Sequence, residues 1–187
     1  MLAAEPLRVN PAQDTIHWLE RAVIGLNLCP FAKAVHVKKQ VRVAVSEATD
    51  AAGVLEDLAR EADELVATPA SERDTTLLVV PHCLQDFIEF DDVVARGERL
   101  LRKKRLEGVL QLASFHPRFQ FADTDVDDIT NFTNRSPYPT LHLLREESID
   151  RAVAAFPEAE AIYGANIEAL RRLGREGWDA LDVGAHP

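Results

Sequence analysis

Thr75-Thr-Leu-Leu-Val-Val80, closed by Pro81, is the stretch on which the fold turns. It is a continuous apolar run of strand length with no alternation, so it reads as a central strand buried on both faces. Working outward, a helix is expected before it, from about Thr49 to Ala67, with Leu55, Leu58, Ala62 and Leu65 inward and Pro69 beyond its end. Ahead of that helix, Val41-Arg-Val-Ala-Val45 alternates and is β-branched, which predicts a strand. After the central run a further helix is expected from about Gln85 to Lys104, with Phe87, Phe90, Val94 and Leu101 on one stripe. Gly108 precedes a third strand, Val109 to Phe115, which Pro117 ends. Strands alternating with helices favour an α/β sheet with right-handed crossovers.

The ends of the chain fill in the order. Residues 1–9 read as a loose lead-in. Asn10 caps a first helix, with Pro11 in its first turn, Gln13 completing a capping-box-like arrangement, and Ile16, Leu19, Val23 and Leu26 on one face. Gly25 weakens that helix and Pro30 forces Cys29 out of helical geometry, so it should end near Asn27. Lys33 to Lys39 reads as a basic connector. No strong period appears between Arg118 and Ser136, where Asp125 to Phe132 suggests a short helix. A fourth strand, Thr140 to Leu144, has no crossover helix before it, so it should lie antiparallel to the third or beyond an excursion. Two helices, Ser148 to Phe156 and Glu158 to Leu173, close the chain, the second burying Ile162, Ile167 and Leu170. The tail, 175–187, reads as loosely ordered, with Trp178 able to dock. The expected fold class is α/β (or α+β): one domain over 1–187, a mixed sheet of about four strands, in the order α-β-α-β-α-β-loop-β-α-α.

Composition narrows the function classes. A chain of 187 residues that is 47% hydrophobic can bury a full core without staples. Its formal charge of −10 argues against nucleic acid or an anionic membrane as partner. The basic cluster Arg102-Lys-Lys-Arg105 ends a helical pattern, where it complements the helix dipole. Cys29 and Cys83 are too few and too far apart for a disulfide framework. Neither a signal-peptide pattern nor an apolar run near the ~20 residues of a membrane span is present. A cytoplasmic protein is expected.

Three polar clusters interrupt the core patterning: 27–33, 111–117 and 131–138. Two of them flank strand ends, where α/β sheets bind ligands. Leu-Cys-Pro-Phe-Ala at 28–32, Phe-His-Pro at 115–117 and Asn-Arg-Ser-Pro-Tyr-Pro-Thr-Leu-His-Leu-Leu-Arg-Glu at 134–146 resemble a bacterial family known as domain of unknown function 1415. The resemblance spans most of the chain, from about Trp18 to Glu146. It implies that the clusters belong together, and it implies no activity.

Residue by residue, Arg135 suits an anionic small molecule through its forked guanidinium, helped by Asn134, Ser136, Tyr138, Lys33 and Gln111. A structural Arg tied to Asp127 or Asp128 is the plainer alternative. His116 is a candidate acid/base, or else a strand-end histidine bonded to a carbonyl. Cys29 is a candidate nucleophile, or else a small buried apolar residue. His142, inside the fourth strand, reads as a satisfied core histidine. A metal centre of Cys29, His116 and His142 is a second hypothesis, although no short paired spacing supports it. Asp123-Thr-Asp-Val-Asp127 lacks the Gly and bidentate Glu of a calcium loop. A third hypothesis is a non-catalytic interaction module with an apolar patch at Phe119 and Phe121. The absence of G-x-G-x-x-G, P-loop and G-x-S-x-G motifs argues against the corresponding enzymes. Cofactor and oligomeric state are left open.

Overall fold

The structure is a computed structural model that describes residues 10–155 and 161–185. The lead-in at 1–9, the helix positions Phe156 and Glu158 to Glu160, and the last two residues lie outside the described residues.

Strand β1 (Val41–Val45), β2 (Thr75–Val79), β3 (Leu110–Phe115) and β4 (Thr140–Arg145) form one four-stranded sheet in the order β1-β2-β4-β3. β1 and β2 are parallel, and β4 runs antiparallel to both β2 and β3. β2 therefore has a strand on each side, and all its residues are buried, as its unbroken apolar run predicts. The missing crossover before β4 has the expected outcome: it returns antiparallel along β3 after the excursion 116–139.

Six α-helices complete the described chain: α1 (Pro11–Trp18), α2 (Ala32–Val37), α3 (Ala51–Ala67), α4 (Phe87–Lys103), α5 (Glu146–Ala155) and α6 (Ala161–Asp179). The Asn10 side chain accepts from Gln13 N at 3.1 Å, as the cap predicts. α1 passes into a π-helical turn, Leu19–Ile24, and Asn27 stands in the left-handed region at φ 55°. The basic connector instead forms α2. Asp50 and Asp86 cap α3 and α4 through their carboxylates. The expected short helix near 125–132 is a 3-10 turn at Ile129–Asn134. α6 bends at Gly174 (φ 66°) and resumes to Asp179 rather than stopping near Leu173. Trp178 docks edge-on to Phe132, 5.1 Å between centroids, and Val183 is buried. No helix among the described residues is long and apolar enough to cross a membrane.

The sheet has two different faces. On one, α3 and α4 pack Val54, Leu58, Leu65, Phe90 and Val93 against Leu78, Leu141 and Leu143. Gly97 marks a close approach, since a Cβ there would stand 2.8 Å from Leu58 and 2.9 Å from Leu112. On the other, α1, its π-helical continuation, the 3-10 turn and α6 form a second cluster around Trp18, Leu28, Phe132, Leu170 and Trp178. That second layer covers the sheet only in part.

Candidate functional site

The proline-rich loop is consumed by its own architecture. An irregular excursion that is buried must satisfy its backbone groups from side chains. Asn131, fully buried, accepts from Phe121 N and Thr124 Oγ1 and donates to Asp125 O. Asn134 Nδ2 donates to Ser114 O at 3.4 Å, and Ser136 Oγ donates to Tyr138 O at 2.6 Å. Tyr138 donates to Asp14 Oδ2 at 2.7 Å; burial and that carboxylate push its phenol well above the ordinary value. Arg135 donates to Phe119 O at 3.2 Å and Val126 O at 2.6 Å, and lies 4.2 Å over the Phe132 ring. It does not pair with Asp127 or Asp128 at ion-pair distance. Burial and then Arg175 lower its pKa. Asn134, Ser136 and Tyr138 are therefore clamps, and of this group Arg135 and Ser136 still line a cleft.

His116 is the larger correction. Successive strand residues point to opposite faces. Phe115 at the end of β3 faces the α1 side, 5.0 Å from Trp18, which sends His116 to the α4 side between Phe90 and Phe87, at 5.0 and 5.4 Å. Arg118 N donates to its Nδ1 at 3.0 Å, so the proton sits on Nε2, which donates to Leu84 O at 3.0 Å. Both nitrogens are spent on backbone. The ring is fully buried, and burial lowers its pKa. His116 holds the loop before α4 and does not meet Cys29, which belongs to the other face. The grouping of Cys29, His116 and His142 as metal ligands fails for the same reason: no three metal-ligating side chains cluster among the described residues. Phe119 and Phe121 are half-buried in an aromatic ladder from Phe87 to Tyr163 rather than forming an open patch.

The sheet brings together what the sequence kept apart. On the partly covered face lies a cavity of about 740 Å³. Its floor is the register Val41–Thr75–Leu144 and Leu77–His142–Ala113, with Phe115 beyond, and its walls include Trp18, Phe31, Val35 and Cys29. The turn carrying Cys29 is fixed by Asn166, whose Nδ2 donates to Leu28 O at 2.9 Å. Thr75 Oγ1 stands 2.6 Å from His142 Nε2 and donates to Leu143 O at 2.7 Å. Desolvation pulls the His142 pKa down to about 4. At the rim are Lys38, Arg151 and Arg145, whose guanidinium closes the end of α3 through Leu65 O and Thr68 O. Lys33 and Gln111 are exposed and do not line the cavity. Sequence reasoning treated His142 as core and passed over Thr75. The available signal was a Thr and a His on central strands otherwise built from Leu and Val.

A mixed four-stranded sheet, sealed by helices on one face and half-covered on the other, defines an α/β protein with a ligand-sized cavity. The chain belongs to the family described as protein of unknown function (DUF1415), whose profile matches residues 10–180. No curated protein and no solved structure matches it.

Proposed function

We propose that this protein binds a small, mostly apolar molecule in the cavity over the α1 face of its sheet. The supporting observation is a volume of about 740 Å³ whose largely apolar floor carries one imidazole, His142. Pockets of a few hundred Å³ with few convergent polar groups are the usual form of small-molecule sites. Both cysteines are unpaired, which goes with a reducing, cytoplasmic setting. Titration with 1-anilinonaphthalene-8-sulfonate tests the reading, because its fluorescence rises in apolar surroundings. Ala113 lies beside His142 on the floor, and Ala113→Phe should fill the space and remove most of the signal. No signal with the wild type, or equal signals in both proteins, would sink the proposal.

A second reading keeps an anionic ligand at Arg135. Arg135 and Arg175 both face Phe132, at 4.2 and 5.2 Å, beside a separate cleft of about 340 Å³. Arg135 has no carboxylate within ion-pair distance among the described residues. Citrate and phosphate should raise Tm in the wild type and not in Arg175→Gln. Equal shifts rule this cleft out.

A further inference from the structure

Resting on the cavity reading above, we propose that the occupant is a planar aromatic molecule with an N–H or O–H on its edge. His142 selects it by accepting that hydrogen on Nδ1.

The tautomer follows from elementary bonding. The Thr75 hydroxyl carries one hydrogen, and Leu143 O, 2.7 Å away, can only accept. That hydrogen is therefore committed to the carbonyl. The 2.6 Å contact with His142 must then be Nε2–H donating to Thr75 Oγ1. A neutral imidazole has a single N–H, so Nδ1 is a bare lone pair. It has no partner among the described residues. Nor is it sealed: the one buried side-chain polar atom without a partner among the described residues is Thr76 Oγ1. His142 Nδ1 is thus reached through the cavity that its ring lines. Desolvation keeps the ring neutral at neutral pH, so the lone pair is present when a ligand arrives.

The surroundings define the rest of the ligand. Trp18 meets Phe115 edge-on at 5.0 Å, and Phe115 lies 5.9 Å from His142. All three rings line the same cavity. Trp18 is almost fully buried and its N–H is already given to Arg135 O at 2.8 Å, so Phe115 supplies the open ring surface of this wall and Trp18 offers no donor. Flat aromatic faces with a lone acceptor among them suit an aromatic slab with a donor at one edge. A ligand without a donor strips water from Nδ1 and gives nothing back, which costs affinity.

Indole and 1-methylindole are a matched pair of probes, differing in one N–H. Calorimetry on the wild type should give indole an advantage on the order of tenfold, the value of one buried hydrogen bond. Ring 15N NMR should place the His142 proton on Nε2 in the free protein. Indole should move the Nδ1 resonance, and 1-methylindole should leave it close to the free position. His142→Phe should bring the two affinities within about twofold, and the ring spectra need no substitution if that variant fails to fold. Equal wild-type affinities, or a proton on Nδ1 in the free protein, overturn the donor preference. If both probes bind equally and Ala113→Phe abolishes both, the cavity reading stands and only the donor preference falls. If neither binds while 1-anilinonaphthalene-8-sulfonate does, the aromatic-donor ligand alone falls; if none of the three binds, the cavity reading falls with it.

Discussion

His116 and His142 lie on opposite faces of one sheet, both protonated on Nε2, and differ in what Nδ1 meets. On the α3/α4 face, Nδ1 of His116 accepts from Arg118 N and the ring is fully enclosed by Phe87 and Phe90. On the α1 face, Nδ1 of His142 opens into a cavity. The two faces differ in the same way as a whole. Two long helices, each of 17 residues, lay continuous apolar stripes on the first face. The second is covered by α1 with its π-helical continuation, the 3-10 turn, α2 and α6, with α5 at the cavity edge, and this layer leaves a cavity over the sheet.

The sharpest test of the contrast is truncation of neighbouring leucines on β4. Leu143 is fully buried on the sealed face, while Leu144 lines the cavity. Leu143→Ala should cost about 3–4 kcal/mol in urea unfolding and Leu144→Ala about 1 kcal/mol, because only the first opens a new void. Comparable losses would mean that the α1 face is as tightly packed as the other.

Titration gives the next largest effect. The His142 pKa is lowered to about 4 from its ordinary 6.5 by desolvation, so the unfolded chain binds its proton first as pH falls. The stabilisation is complete above about pH 6.5, declines between 6.5 and 4, and is spent below that. His116, also lowered, acts with the same sign. The unfolding free energy of His142→Phe should therefore fall less steeply over this window than that of the wild type. Parallel curves would show that His142 is already solvated.

Removing the two imidazoles separates their roles. His116→Phe leaves Leu84 O and Arg118 N without partners in a buried setting, at about 2–3 kcal/mol. His142→Phe loses only the Thr75 contact, at about 1 kcal/mol. Smallest of all, Ala113→Phe should change stability by less than about 1 kcal/mol, since it fills existing space rather than displacing neighbours. A larger loss would show that the cavity floor cannot accept a ring.

What the sequence determined by itself is the four strands and the long helices between them, in order, while α2 was read as a connector. Local signals carried that: the unbroken run at Thr75–Val80, the alternation at Val41–Val45, the Asn10 cap and the missing crossover before β4. The polar clusters were legible as unusual, but their purpose was not. A chain cannot show locally whether Asn134, Ser136 and Tyr138 face a ligand or bond to the protein itself, because the same hydrogen-bonding groups serve both ends. The sheet order, β4 between β2 and β3, was settled only in three dimensions. That order sets His142 against Leu77 and Ala113, aims it away from Leu141 and Leu143, and puts it over the face that Trp18 and Cys29 half cover. One residue of strand phase separates a histidine locked in backbone bonds from a histidine open to a cavity. Phase relative to a face has meaning only once the layers on that face are in place.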